Sequence, residues 1–389
     1  MASTDTDLNS TFLLEIVFFT KSYNMKKVIM LGLLPLILLA CRSQPPIIPP
    51  PPVKPPVVGT YDKLITSESD FIMAHQLDDG ALTMSSNKGV PGYKIVPYFS
   101  NIAARALLAN PTIARIDAVK KWMVWYMTHL NADGSIYDYY ATNYTGTATL
   151  TSTGDFDSVD SYAATFFTVA KILCDVSPAD KDWLKTNYSA QLKKIGEALI
   201  MVVQGDGLAI AKPTYAIKYT MDNAEVNEGM KDMVWLSQNI ITGGETSKWQ
   251  TLLTNNTDGI ETGLWNAANS TYFMYAGGAT INWGIFYADA TCQLYPTWCG
   301  VITPNSARAI NLWNTFNTNY PDWSTGKIYD AGGFPWTVIS YVAAVMNDRI
   351  RAEQYLKYVQ LFTDSGNQPT ANWYNLEAAF VILAAKKMN

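Results

Sequence analysis

The chain carries an internal repeat, and that feature limits its fold more than any other. AHQLDDGAL (Ala74 to Leu82) and THLNADGSI (Thr128 to Ile136) each set a histidine, then a leucine, then Asp-Gly, and VVQGDGLAI (Val202 to Ile210) is a weaker third copy. Recurrence of one motif marks an array of like supersecondary units, none of which can bury its apolar face alone. An amphipathic run precedes each copy, and a more apolar run with small residues follows it beyond a loop.

The alternation continues in degraded form to the C-terminus. Lys, Glu and Gln recur with apolar residues at three-to-four spacing over Tyr61–Gln76, Thr112–His129, Ala179–Val203, Glu245–Leu264, Pro304–Asn319 and Arg349–Phe362. That pattern predicts helices with one wet face. Their partners are Pro97–Leu108, Ser161–Cys174, Asn227–Ile240, Trp283–Leu294, Pro335–Val345 and Trp373–Ala385, rich in Ala, Phe, Tyr and Val. Helices apolar all round are buried. No run of alternating strands competes. The expectation is an all-α fold of six wet-then-dry pairs, with dry helices in an inner ring and wet ones outside. An open solenoid is the alternative, and it would need capping repeats.

Six helical hairpins with Asp-Gly turns and acidic motifs opening the inner helices resemble the six-hairpin glycosidase superfamily, the (α/α)6 toroid, over nearly all of the chain after Tyr61. The motifs do not single out one family within it. The resemblance implies a glycoside hydrolase, with inversion the commoner stereochemical outcome.

In such a ring every outer-to-inner loop lies on one face. The inner helices' N-termini converge on one cleft, where free N–H groups and positive dipole ends favour carboxylates. The stretch DFDSVDSYAATFF crowds Asp155, Asp157 and Asp160 before an apolar segment. Asp160 is placed to cap the helix from Ser161, which leaves Asp155 and Asp157 without that role. The next inner segment, TMDNAEVNEGMKDMVW, supplies Asp222, Glu225 and Glu228, with Asn223 and Asn227 among them. Helical spacing puts Glu225 and Glu228 on one face. Facing carboxylates across a groove are the equipment for glycoside hydrolysis: one protonates the leaving oxygen, the other activates water or attacks the sugar. A groove walled by Met221, Met230 and Trp235 would raise a glutamate's pKa, which assigns the acid to Glu228 or Glu225. Asp157 is the expected base, followed by Asp160 and Asp155.

Further loops supply substrate-binding candidates: Asp79, Tyr137, Asp138, Tyr162, Asp222, Asn227, Trp235, Trp283, Asp330, Trp336, Trp373 and Tyr374. Aromatics at the mouths of inner helices suit stacking on sugar rings. Each residue singly also has an ordinary role. Asp-Gly is turn chemistry, Asp or Asn before a helix is a cap, and most aromatics belong to a core. A cap needs one acid, whereas these loops hold several.

Two other readings compete. A polysaccharide lyase on the same toroid would need cations to neutralise a uronate, and the cleft motifs carry few: Lys218 and Lys231, with Lys88 and Lys94 nearer the first helix. A glycan-binding surface protein would keep the aromatics without facing carboxylates. A formal net charge of −5 with no basic stripe argues against nucleic acid. Only two histidines are present, with no zinc-ligand spacing and no Gly-rich phosphate loop, so neither metal nor cofactor is expected.

The N-terminal region reads as an export signal. MKKVIMLGLLPLILLAC has two lysines, an apolar run and a cysteine where cleavage would fall. The run is shorter than the roughly 20 apolar residues of a membrane-spanning helix. Its end resembles a bacterial lipobox, with Cys41 the lipidated residue. Met25 is then the expected natural start, with residues 1–24 an upstream over-call, 25–41 the signal, 42–60 a stiff Pro-rich spacer, and 61–389 the catalytic domain. By resemblance, Arg42 after the cysteine points to the outer membrane. Export would allow a local Cys292–Cys299 disulfide, with two free thiols the alternative; Cys174 reads as core.

Overall fold

A computed structural model describes residues 60–389. The upstream extension, the signal with Cys41, and the spacer up to residue 59 lie outside the described residues.

Six outer helices alternate with six inner positions along the chain. The outer helices are α1 (Asp62–Ala74), α3 (Ile113–Thr128), α5 (Pro178–Val202), α7 (Thr246–Gly259), α9 (Ala307–Asn319) and α11 (Arg349–Thr363). The inner ones are α2 (Pro97–Ala109), α4 (Asp160–Val176), α6 (Thr220–Asn239), the short α8 (Tyr295–Trp298), α10 (Val338–Val345) and α12 (Asn375–Met388). Each inner helix packs on the next, α2 on α4, α4 on α6, then α8, α10 and α12, and α12 returns to α2. The ring therefore closes as an (α/α)6 toroid. At the seam, Tyr61 donates its backbone N–H to Asn389 Oδ1 (3.1 Å), and Asn389 Nδ2 donates to Asp62 Oδ1 (3.0 Å).

Small residues set the inner spacing. A Cβ on Gly229 of α6 would lie 2.5 Å from Ala164 Cα on α4, so only glycine permits this approach. Trp122, Trp125, Tyr126, Phe166 and Phe167 are fully buried between the rings, and each such side chain contributes on the order of 2–3 kcal/mol of apolar burial. Cys174, Cys292 and Cys299 are all free and buried.

The repeated motif is a packing device. Gly80, Gly134 and Gly207 have φ of 101°, 86° and 83°. A Cβ on each would meet a backbone oxygen of the next outer helix: Lys121 at 2.5 Å, Lys194 at 2.1 Å, Asn255 at 2.0 Å. The preceding aspartate accepts the N–H two residues on: Ala81 to Asp79 (3.0 Å), Ser135 to Asp133 (3.0 Å), Leu208 to Asp206 (3.2 Å). His75 and His129 donate Nδ1–H to the carbonyls four residues back, each at 2.7 Å, and finish their helices. The motif thus seats one hairpin on the next, and Asp79 works in a turn.

Three expectations from the sequence need correction. The fourth inner segment, expected as one helix over Trp283–Leu294, is an irregular turn over Phe286–Ala290, interrupted by extended backbone at Tyr287, followed by α8. Asp289 takes the Asn282 N–H (2.7 Å), and the Gln293 amide pairs with both backbone groups of Tyr272. These bonds hold the segment on a two-stranded ribbon, Trp265–Asn266 with Thr271–Tyr272. The helix expected from Asn227 starts at Thr220, whose N–H and hydroxyl both bond the strand end at Met274 and Phe273. Finally, a small antiparallel sheet sits on the outer-to-inner loops: β1 (Tyr93–Ile95), β2 (Tyr139–Ala141) and β3 (Leu150–Ser152), with Lys94 opposite Tyr140 and Tyr140 opposite Thr151.

Candidate active site

Four carboxylates meet where α4 and α6 begin. Asp157 lies on the loop before α4, Asp160 is the first residue of α4, and Asp222 and Glu225 occupy the first two turns of α6. The early start of α6 brings Asp222 into this group, with Glu225 one turn deeper on the same face.

Asp160 is fully buried; its Oδ1 accepts the Ser158 hydroxyl (2.6 Å) and the Ser161 N–H (2.8 Å). Its Oδ2 is buried with no partner. Burial outweighs those bonds and, with Glu225 nearby, lifts its pKa to about 7. Glu225 is 3% exposed and accepts a 2.5 Å hydrogen bond from the Tyr98 hydroxyl on α2. Burial and then the Asp222 charge push it to about 8. Asp222 is driven well above the usual carboxylate range by burial, then by Asp160 and Asp157. Asp157 reaches solvent; desolvation raises it above the usual carboxylate range, and the Lys94 and Lys212 ammoniums offset that only in part. Two carboxyls with different surroundings thus share one mouth: Asp222 faces acids, Asp157 faces cations.

Other predicted residues frame this group. Asp155 is exposed and paired with Lys212 (3.0 Å), which overcomes its partial burial and lowers its pKa. Asp138 is buried, raised by desolvation, and held by Lys94 (3.2 Å) and the Tyr162 hydroxyl (2.7 Å). Tyr162, 2% exposed, is thereby committed to the wall. Tyr137 stacks on Phe156 at 5.6 Å. Across the mouth, Asp330 accepts the N–H groups of Gly332 and Phe334. Trp336, at φ 52°, lies 4.9 Å from the Tyr287 ring. Tyr374 packs on Phe334 and Phe99.

Besides Asp79 in its turn, five predicted residues do not join the group. Glu228 sits one turn below Glu225, where Arg105 grips it with two bonds of 2.8 and 3.0 Å and stacks over Trp298 at 5.5 Å. The bidentate guanidinium engages both carboxylate oxygens, which suits a brace between α2 and α6 rather than a group that meets substrate. Asn227 points outward and donates to Asn256 and Thr257 of α7. Trp235 is near the far end of α6, under Lys171 and Lys181. Trp373 is buried and donates to Glu68 of α1 (3.0 Å). Trp283 packs half-buried on a small side cluster, its carbonyl held by Tyr320.

Three residues of the mouth were not among the candidates. Tyr98 follows the proline that opens α2. Tyr287 lies at the irregular fourth inner position and senses Asp222, Asp157 and Asp330. Glu377, at the third position of α12, accepts the Thr337 N–H (2.9 Å) and hydroxyl (2.7 Å), and burial pushes it to about 7. Their common signal is a place at the start of an inner segment. Among the described residues, no group of three His, Cys, Asp or Glu is arranged to hold a metal.

No family model and no curated protein matches the chain. Its structure is similar to that of a wild-type glycosidase, with TM-score 0.60 and 10% identity over 83% of this chain and 96% of that one. It is also similar to a GH63 mannosylglycerate hydrolase from Thermus thermophilus in complex with glucose, with TM-score 0.58 and 9% identity over 82% and 99% of the two chains. A novel alpha-amylase from Clostridium perfringens aligns with TM-score 0.57 and 10% identity over 85% of this chain and 98% of that one. The chain shares with these proteins the six-hairpin toroid.

Proposed function

We propose that the chain is an exported, lipid-anchored glycoside hydrolase that cleaves a neutral poly- or oligosaccharide. The observation that carries this reading is the pairing, at the inner-helix mouth, of an acid-surrounded Asp222 with a cation-flanked Asp157. Asp222, raised by burial and by its acidic neighbours, donates its proton to the leaving glycosidic oxygen. Asp157, with Lys94 and Lys212 nearby, accepts a proton from the attacking water. The toroid shared with glycosidases and the aromatics Tyr137, Trp336 and Tyr374 around the mouth support the assignment. Inversion is the outcome expected from the resemblance. Export and lipidation at Cys41 rest on the signal-like N-terminus, with the outer membrane as destination.

The deciding experiment is a reducing-sugar screen of the purified protein on a glycan panel, repeated with Asp222→Asn and Asp157→Asn. Cleavage that both variants lower by about 10²–10⁴-fold supports the reading. Cleavage that survives both, or an unsaturated product absorbing in the ultraviolet, overturns it. Proton NMR of the first-formed anomer tests inversion. Radiolabelled palmitate incorporation lost in Cys41→Ser tests the anchor.

A further inference from the structure

We propose that Lys212 is a positioning residue for the base: from a short segment tied to the helix of the acid, it fixes where Asp157 stands relative to Asp222. This rests on the hydrolase reading and deepens it.

The segment is Ala209–Lys212, which follows the third Asp-Gly turn. Its first half is anchored to α5 and α6. The Ile210 N–H donates to the Val202 carbonyl at the end of α5 (3.0 Å). Asn223, fully buried and next in sequence to Asp222, pairs with both backbone groups of Ala209. Its Oδ1 accepts the N–H (2.8 Å), and its Nδ2 donates to the carbonyl (3.0 Å). The same Nδ2 donates to the Tyr219 carbonyl just before α6 (2.9 Å). One side-chain amide thus ties the start of the acid's helix to this segment.

The second half holds the loop of the base. The Val159 N–H donates to the Ala211 carbonyl (2.7 Å). The Lys212 ammonium donates to the Phe156 carbonyl (2.6 Å) and to Asp155 Oδ1 (3.0 Å), and it lies 5.7 Å from the centre of the Phe156 ring. These bonds fall on both sides of Asp157, which is exposed between half-buried Phe156 and buried Ser158. The Phe156 carbonyl belongs to the peptide group that leads into Asp157, so gripping it orients the Asp157 backbone. An ammonium bound to a carbonyl and a carboxylate at once makes charge-assisted bonds. An inverting pair must keep a gap that admits one water, and a misplacement of about 1 Å can cost about 10²-fold in rate. Lys212 and Asn223 therefore act at opposite ends of one short tie between base and acid.

The test is a double-mutant cycle of Lys212→Met with Asp157→Asn, joined to hydrogen–deuterium exchange over residues 155–161. Lys212→Met keeps the apolar stem and removes both bonds. It lowers kcat by about 10–100-fold with little change in KM, and Lys212→Arg, which keeps the charge and the donors, recovers most of the loss. In the Asp157→Asn background Lys212→Met changes kcat by less than about twofold, because a residue that acts through Asp157 has nothing left to position. Backbone exchange over 155–161 is about tenfold faster in Lys212→Met. Equal losses in both backgrounds put the effect of Lys212 elsewhere and overturn the proposal. Lost turnover with unchanged exchange means that the lysine acts by charge alone, and overturns it too, as does turnover that survives Lys212→Met. If no glycan is cleaved, or if Asp157→Asn keeps full activity, it is the hydrolase reading that fails, and the exchange rate alone decides whether Lys212 fixes the Asp157 loop.

Discussion

Glu228→Ala separates the structural from the catalytic acids of α6. Glu228 and Arg105 cross-brace α6 and α2 through two charge-assisted bonds of 2.8 and 3.0 Å, with the guanidinium over Trp298. Truncating the carboxylate leaves Arg105 charged and unpaired inside the ring. Breaking one side of such a pair costs about 3–5 kcal/mol. For roughly 330 folded residues, an unfolding entropy of about 2.1 cal/mol/K per residue gives about 0.7 kcal/mol per kelvin, so the melting temperature falls by about 4–7 °C. Calorimetry reads that shift, and the turnover of the remaining folded protein stays near wild type. The double variant Arg105→Met with Glu228→Leu recovers most of the lost stability, because an apolar pair of similar volume leaves no buried charge. An unchanged melting temperature together with a hundredfold loss of turnover would refute this account and return Glu228 to the role of acid.

Stability falls as pH rises from about 5 to 8. Glu68, Glu377, Asp160 and Asp232 are raised to about 7 and Glu225 to about 8, chiefly by burial. Unfolded carboxyls titrate near 4, so above that pH the folded chain binds protons that the unfolded chain lacks. Their contribution is intact below the unfolded value and is lost as pH climbs through 7 to 8; thermal melts across that range check it. Gly207→Ala places a Cβ 2.0 Å from the Asn255 carbonyl at φ 83° and lowers stability by about 2–4 kcal/mol in a denaturant titration. Trp373→Phe removes the indole hydrogen bond that Glu68 accepts and costs about 1–3 kcal/mol, with unchanged turnover.

Wet and dry periodicity specified the helices and their order, because amphipathic spacing is a property of a segment by itself. The Asp-Gly repeat was visible too, and its function as a seat for the next helix follows from a backbone approach that only glycine permits. Asp157, Asp160, Asp222 and Glu225 were all named as candidates from the crowding of acids at two helix starts. Their ranking was not legible. Glu228 and Glu225 share one helix face and one residue type, yet an arginine from α2, more than a hundred residues earlier, claims the first, and a tyrosine from the same helix claims the second. Trp373 and Trp235 likewise look like rim aromatics until α1 and the α4–α5 corner are folded against them. Burial and charge neighbours decide which carboxyl keeps its proton, and these come from segments that meet only when the ring closes.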